Sequence, residues 1–447
     1  AHAEGAAMSE FPTTLAAARA AHERGLLTVM GGPNVVRGGS HSGNVAAADL
    51  ARHGLLDILS SDYVPGSLLS AVMRLVQGTS GFPPSDCQRV RLLVDGGQTF
   101  DALIAAIAAA RHHVHLSYYI FDPDHTGTLV RDALVERAQA GVQVRVLADA
   151  LGSSRLSKDF LAPLRAAGGE VMFFHRVHFR LRGLWYPKLN LRNHRKIAIV
   201  DGTIGFIGGI NITDDENERV NSAAYHDLHL RMDGAAVRWL QLAFLEDWAY
   251  ACSRVPREEG FWPPCDTGGI RTQVLPAGPD SPRETIHRAK IAAIAGAQTR
   301  VWLTTPYFVP GEAARFALTS AAMRGLDVRV LVPAHSDSRL VTAAARSYFD
   351  ELIAAGATVF EHPRMLHTKA LLVDDGTCIL GSSNFDNRSF RLNFELCVLF
   401  EDAGVAQALA AEMERDLAQS RAVPRDRHLG LAQRLAEAGA RLLSPLL

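Results

Sequence analysis

A pattern of eight residues that occurs twice constrains this chain more than anything else in it. The first copy, His194-Arg195-Lys196-Ile197-Ala198-Ile199-Val200-Asp201, runs on to Gly208-Gly209-Ile210-Asn211. The second, His367-Thr368-Lys369-Ala370-Leu371-Leu372-Val373-Asp374, runs on to Gly381-Ser382-Ser383-Asn384. Both read H-x-K, four apolar residues, Asp, six residues, then G-[GS]-x-N. In a strand alternate residues share a face, so each His and Lys is expected to point one way and the residue between them the other. The apolar residues bury the strand, and the Gly-rich turn lets backbone and Asn come close to a ligand. A single His on a strand is usually a core or surface residue. Two copies with the same spacing and the same trailing Gly and Asn mark a site for an anion that is to be attacked.

A second repeat, independent of these motifs, pairs Gly141-Val142-Gln143-Val144-Arg145-Val146-Leu147 with Gly325-Leu326-Asp327-Val328-Arg329-Val330-Leu331. The chain therefore carries an internal duplication, and its spacing predicts an α/β fold. In the first lobe, strands are expected at Val90–Val94, His113–Phe121, Val142–Ala148 and Asp227–Met232, with helices over Asp101–Ala110, Thr128–Ala140 and through Trp239, Phe244 and Trp248. In the second, strands at Arg300–Thr305, Val328–Val332, Thr358–Glu361 and Leu396–Phe400 alternate with helices at Thr285–Ala295, Glu312–Gly325 and Leu340–Gly356. The Pro- and Gly-rich segment Pro256–Pro282 reads as the linker. This divides the chain into residues 1–86, 87–262 and 263–447. Two sandwich lobes facing each other across a pseudo-two-fold would bring both motifs to one cleft.

Phosphodiester transfer needs a nucleophile, a proton donor for the leaving alkoxide and positive charge for the non-bridging oxygens. His194 and His367 supply the first two roles, one as a neutral imidazole that forms a phosphohistidine, the other as a protonated acid. Lys196 and Lys369, with Asn211, Asn384, Ser382 and Gly209, are the candidates to hold the phosphoryl oxygens. Each histidine also needs a carboxylate to fix its tautomer, and in the first lobe Asp227 is the nearest candidate. Asp201 and Asp374 complete the motifs, but their parity along the strand differs from that of the histidines, which points to a structural role. No carboxylate cluster suited to a metal is visible, and no cofactor is implied.

These motifs resemble the signature of the phospholipase D superfamily, and within it the bacterial cardiolipin synthases. The stretches Tyr118-Tyr119-Ile120-Phe121, Arg192-Asn193-His194-Arg195-Lys196, Asp386-Asn387-Arg388-Ser389-Phe390, Leu392-Asn393-Phe394-Glu395 and Leu442-Leu443-Ser444-Pro445-Leu446-Leu447 carry the resemblance over about residues 87–447. It implies two lobes of the phospholipase D type, His194 as the nucleophile, His367 as the acid, and Glu395 as an orienting carboxylate. The sequence itself is symmetric and leaves the two histidines interchangeable. The implied reaction joins two phosphatidylglycerols into cardiolipin and glycerol. Hydrolysis by the same residues, as in a phospholipase or a nuclease, and a non-catalytic membrane-binding module are the alternatives. The second intact motif argues against the last.

Composition narrows the partners. A net charge of −1 and a hydrophobic fraction of 48% describe an ordinary globular protein, so no nucleic acid is expected as a partner. Lys is rare, yet two of the few lysines sit inside the paired motifs. The five cysteines form no C-x-x-C and read as reduced thiols of a cytosolic protein. No apolar run is long enough to span a bilayer, and the N-terminus does not read as a signal peptide. Many cardiolipin synthases begin with two transmembrane helices, so the chain departs from that pattern. Contact with phosphatidylglycerol and its membrane is therefore expected to be peripheral, on the cytoplasmic face. The acid-free, aromatic stretch Phe173–Lys196, with Arg176, Arg180, Arg182, Lys188, Arg192 and Arg195, suits an anionic lipid surface. The tail Gly430–Leu447 has an amphipathic helical pattern and is expected to pack on the core.

Residues 1–86 read differently, as an αβαβ piece with a helix over Thr13–Gly25 and strands at Leu27–Met30 and Leu55–Asp62. Ser9-Glu10-Phe11-Pro12-Thr13-Thr14 and Ser60-Ser61-Asp62-Tyr63-Val64-Pro65 resemble the C-terminal barrel strands of an amidohydrolase, the phosphonate-pathway ribose-methylphosphonate-triphosphate diphosphatase. There the residue at the Asp62 position would bind metal or take a proton. The H-x-H strand of such a site is missing, and Asp62 with His41 alone does not make one. The piece reads as a non-functional remnant or a fusion artefact, expected to pack loosely against the first lobe or to stay partly disordered.

Overall fold

The computed structural model describes residues 8–31, 34–35, 39, 44–60, 81–175, 191–256, 258–265, 268–280 and 283–444. At the N-terminus β1 (Met8–Glu10), β2 (Leu27–Gly31) and β3 (Ile58–Ser60) form a parallel three-stranded sheet, with α1 (Leu15–His22) and α2 (Ala47–Arg52) between them. The side chain of Thr14 caps α1 by accepting from the Ala17 amide. His41 and Asp62 lie outside the described residues.

Next come β4 (Ser85–Cys87) and β5 (Arg89–Val94), one residue apart yet in different sheets. The first large sheet continues through α3 (Asp95–Ala109), β6 (His113–Tyr118), α4 (His125–Gln139), β7 (Gln143–Asp149), α5 (Lys158–Ala166) and β8 (Glu170–Phe174). It is completed by β9 (Ile197–Val200), β10 (Ile204–Gly208) and β11 (Leu228–Asp233), followed by α6 (Val237–Cys252). Its strand order is β5-β11-β10-β9-β6-β7-β8. The strands joined by helices are parallel, and the short turn between β9 and β10 makes that pair antiparallel.

The second large sheet starts at β12 (Ile270–Ala277), α7 (Thr285–Gly296), β13 (Arg300–Thr304), the short β14 (Phe308–Val309), α8 (Glu312–Met323) and β15 (Asp327–Pro333). Then come α9 (Arg339–Arg346), α10 (Phe349–Ala355), β16 (Thr358–His362), β17 (Ala370–Val373), β18 (Thr377–Gly381) and β19 (Phe385–Asp386). The chain closes with α11 (Asn387–Arg391), β20 (Glu395–Glu401), α12 (Ala403–Gln419), β21 (Arg421–Ala422) and α13 (Leu431–Leu442). The order β21-β16-β15-β13-β17-β18-β20-β12-β4 repeats that of the first sheet, strand for strand, from β16 to β12. The two-lobed α/β architecture of a duplicated chain is thus present, with β4 joining the edge of the second sheet just before β5 enters the first.

The apolar quartets of the motifs explain how the lobes stack. Ile197 and Ile199 face an inner core shared with Ala370, Leu372, α6 and α12, where Phe244, Trp248, Leu409 and Met413 are buried. Ala198 and Val200 face the opposite way, into the first lobe's outer core beside Phe100 and Leu134. Leu371 and Val373 likewise turn to the second lobe's outer core, with Leu318 and Leu352. Every residue of both quartets is buried, as strands covered on two faces require.

Several local expectations are corrected. The motif strands begin at Ile197 and Ala370, so neither H-x-K is part of its ladder. Helix α3 starts at Asp95 and not Asp101, because Gly96 and Gly97 lie inside it. A Cβ on Gly96 would meet the Glu216 carbonyl oxygen at 2.0 Å, so glycine there permits close approach rather than a turn. The helix expected over Leu340–Gly356 is two, parted at Ser347, whose hydroxyl donates back to the Ala344 carbonyl. The N-terminal sheet rests on the second lobe and not the first: Ala292 of α7 packs against its core, and Arg288 donates to the Gly54 carbonyl at 3.0 Å. The tail does form a helix, α13, and packs on the second lobe's core through Ala440, but Leu431, Leu435 and Leu442 on its other face are 75%, 63% and 83% exposed. Among the described residues no helix is long and apolar enough to cross a membrane.

Candidate active site

Two short parallel bridges between the lobes assemble the site. Asn193 pairs with Phe394, and His226 with Leu366. The His194 amide donates to the Phe394 carbonyl at 2.9 Å, and the His367 amide donates to the His226 carbonyl at 2.6 Å. In each bridge the next residue on one side is a motif histidine and the next on the other is a carboxylate. His194 Nδ1 consequently lies 3.0 Å from Glu395, and His367 Nδ1 lies 2.7 Å from Asp227. Each lobe thus supplies the carboxylate that orients the other lobe's histidine. A carboxylate can only accept, which places the proton on Nδ1 and leaves Nε2 of each ring for chemistry.

All four groups are buried, and burial dominates their titration. It pushes His367 down to about 3, with Lys369 adding to the effect and Asp227 opposing it. His194 is lowered by burial as well, against the pull of Glu395. Both imidazoles are therefore neutral at neutral pH. Burial alone would raise the carboxyls, but Lys369 and His367 outweigh it and hold Asp227 at about 2. His194 and Lys196 likewise hold Glu395 below the usual range.

The lysines sit just behind. Lys196 Nζ donates to the carbonyl of His194 at 2.7 Å, and Lys369 Nζ donates to that of His367 and lies 3.7 Å from Asp227. Burial brings Lys196 down to about 7, against the pull of Glu395. Arg195, between His and Lys, turns the other way and forms a buried ion pair with Asp247 at 2.7 Å. Of the basic-aromatic stretch, Arg192 is also buried, beside Asp149, and residues 176–190 lie outside the described residues.

The remaining candidates divide. Asn211 and Asn384 line the cleft together with both histidines. Gly209 and Ser382 instead stand behind the carboxylates: a Cβ on Gly209 would meet Asp227 Oδ2 at 2.2 Å, and the Ser382 hydroxyl donates to Glu395. Asp201 accepts from the amides of Arg111, His112 and His113, and Asp374 from those of Gln298, Thr299 and Arg300. These two aspartates tie the far ends of β9 and β17 to the loops entering β6 and β13.

Sequence reasoning missed three contributors. Glu216 accepts from Asn211 Nδ2 at 2.6 Å and from its amide at 2.9 Å, and burial beside Asp227 raises it to about 7. Lys290, on the apolar helix α7, donates to the Ser383 and Asn384 carbonyls at 2.8 and 3.3 Å, holding the second Gly-Ser-x-Asn turn. Its signal was the rarity of lysine. His226 bridges Asp95 and Asp416 at the lobe boundary. The sequence showed no carboxylate cluster, but the fold brings Glu216, Asp227 and His367 within 4.8 Å of one another. Their acceptors are shared with Asn211, Lys369 and the His367 ring rather than left open.

Two carboxylate-held imidazoles facing one cleft of about 490 Å³, with two lysines behind them, define a site able to pass a phosphoryl group from one alcohol to another. Comparison with known proteins agrees with that class. The family described as cardiolipin synthase, PLD-like domain, matches residues 103–248 and 291–417, and the chain belongs to it. It is 39% identical over 371 residues to cardiolipin synthase 2 of Bacillus anthracis, covering 80% of this chain and 70% of that one. To the cardiolipin synthase of Geobacillus sp. it is 38% identical over 385 residues, 84% of this chain and 76% of the relative. Among solved structures, the phosphatidylserine synthase of Haemophilus influenzae shares the fold at a TM-score of 0.63 and 14% identity, over 84% of this chain and all of that one.

Proposed function

We propose that the chain is a phosphatidyltransferase that converts two phosphatidylglycerols into cardiolipin and glycerol. The observation that carries the reading is the crossed pair of histidine–carboxylate couples on one cleft, in a chain of the cardiolipin synthase family. His194 Nε2 attacks phosphorus of the first lipid. As the N–P bond forms, the P–O bond to glycerol breaks, and His367 Nε2 delivers its proton to the leaving oxygen. His367 acquires that proton with the substrate, since an entering phosphodiester anion favours the charged imidazole. The terminal hydroxyl of the second lipid then gives its proton back to His367 and attacks phosphorus, and the N–P bond breaks. Lys196 and Lys369 supply the positive charge for the non-bridging oxygens, with Asn211 and Asn384 lining the same space.

Incubating the purified chain with phosphatidylglycerol vesicles is expected to yield cardiolipin and free glycerol by mass spectrometry. Phosphatidic acid as the main product would replace transfer by hydrolysis. Turnover is expected to survive EDTA, because the charge comes from lysines. A loss reversed by added zinc or magnesium would overturn that and place an ion between Glu216, Asp227 and His367.

Membrane contact belongs to the same reading. Helix α13 carries Leu431, Leu435 and Leu442 on one exposed face, the pattern of a helix that lies in a bilayer interface. It packs on α9, whose Val341 lines the cleft. In this reading the enzyme sits peripherally on the cytoplasmic leaflet, and the exposed leucines of α13 support a position with the cleft near the lipid. Leu435→Glu is expected to cut flotation with phosphatidylglycerol vesicles at least fivefold and to leave turnover of detergent-dispersed lipid intact. Unchanged flotation would remove α13 from the contact.

A further inference from the structure

The walls of the cleft pose a chemical question that phosphate alone does not answer. Asp122, Asp215, Glu216, Asp337 and Asp386 line it against two arginines, Arg192 and Arg388. Three lining residues, each at least nine-tenths buried, also keep a side-chain oxygen with no hydrogen-bond partner: Asp122 Oδ1, Asn384 Oδ1 and Asn393 Oδ1. Their other atoms are engaged. Asp122 Oδ2 accepts from Arg155 at 3.0 Å and from the Thr213 hydroxyl at 3.3 Å. Asn393 Nδ2 donates to Glu395 at 3.3 Å, and the Asn384 amide donates to Asp386. Because those two partners are carboxylates, turning either amide over would set oxygen against oxygen. The unpaired atoms are therefore acceptors.

An ionised phosphodiester and the ester carbonyls of the acyl chains offer only acceptors, and the hydrocarbon tails offer neither donors nor acceptors. Neither can satisfy these oxygens, and buried polar groups in folded proteins are generally satisfied. Hydroxyl groups can. We propose that Asp122, Asn384 and Asn393 form a polyol subsite that takes the hydroxyls of the lipid headgroup. This deepens the transferase reading and rests on it. In a double displacement the incoming alcohol arrives where the leaving alcohol departed, so one subsite serves both the released glycerol and the terminal glycerol of the acceptor lipid.

The test compares donors with identical acyl chains and different labelled headgroups in mixed micelles, with the same excess of free glycerol supplied as acceptor: phosphatidylglycerol, phosphatidylmethanol and phosphatidylethanolamine, each followed by headgroup release. The unaltered protein is expected to favour phosphatidylglycerol over phosphatidylmethanol at least 30-fold in kcat/KM, about 2 kcal/mol at a factor of ten per 1.4 kcal/mol. Asp122→Asn, which turns one acceptor into a donor while Arg155 keeps its oxygen, is expected to shrink that preference at least tenfold. A general loss of fold or activity would lower both donors in parallel and leave the ratio unchanged, and that outcome overturns the subsite. Equal use of phosphatidylglycerol and phosphatidylmethanol by the unaltered protein also overturns it while leaving the transferase reading in place. So does faster release of ethanolamine than glycerol, since the acids would then be reading charge. No turnover of any donor brings down the transferase reading, and the subsite with it.

Discussion

His194→Ala and His367→Ala are each expected to leave less than a hundredth of the unaltered turnover. General acid–base catalysis by one positioned group contributes about 10²–10⁴-fold, and loss of the nucleophile removes the covalent route altogether. No other histidine lines the cleft among the described residues, so neither role has a substitute nearby. The two variants should differ in what they accumulate. With phosphatidylglycerol labelled at phosphorus and rapid quenching in alkaline denaturant, which preserves the acid-labile N–P bond, label is expected on His194 in the unaltered protein and none on the protein in His194→Ala. Label on His367 alone would exchange the roles. Turnover above a hundredth in either variant would end the two-histidine mechanism. The crossed carboxylates give a graded companion result: Asp227→Asn and Glu395→Gln keep the shape but allow the wrong tautomer, and each should act on the histidine of the opposite lobe.

That crossing marks the boundary of what the sequence could show. The paired motifs were legible because strand periodicity and exact spacing survive in one dimension, and the repeat from Gly141 and Gly325 fixed two lobes without any reference to chemistry. Asp227 and Glu395 could be picked out as orienting carboxylates, but not matched to their histidines, because the match depends on the bridges Asn193 to Phe394 and His226 to Leu366. Register between lobes leaves no periodic trace. Gly209 and Ser382 were misjudged for a related reason. A glycine beside a motif asparagine suggests room for a ligand, whereas here the room is taken by the Asp227 carboxylate. Gly96 makes the same point from inside a helix, against the Glu216 carbonyl: glycine reports a close approach and cannot say what approaches. Glu216 and Lys290 were missed because neither contact follows a sequence period: Glu216 holds Asn211 by its amide and side chain, and Lys290 reaches a turn distant in sequence, with only the rarity of lysine to hint at it. Helix α13 does pack on the second lobe, through Ala440, but its leucines face away, since an amphipathic pattern gives a face but not what covers it.

Replacing His226 by glutamine is expected to destabilise the chain by about 3–5 kcal/mol at pH 6, the usual cost of removing one partner from a buried ion pair. The His226 ring joins the lobes, with Nδ1 2.6 Å from Asp95 of the first and Nε2 2.8 Å from Asp416 of the second. Burial alone would lower it, but the carboxylates of Asp416 and Asp95 outweigh that and bring it up to about 10. In the unfolded chain a histidine titrates near 6.5. The folded state thus binds the proton more tightly, and the resulting stability is fully present below about pH 6.5 and lost as pH rises towards 10. The difference between the unaltered protein and His226→Gln should therefore be greatest at pH 6 and shrink steadily by pH 10, read as urea midpoints across that range. Arg364, 3.5 Å from Asp95, supplies part of the positive charge at every pH and keeps the loss from being complete. Because the His226 carbonyl accepts from the His367 amide, turnover should fall with the same pH dependence as lobe closure loosens. A difference in midpoint that stays constant from pH 6 to pH 10 would show that the ring is held neutral and that the bridge contributes packing rather than charge.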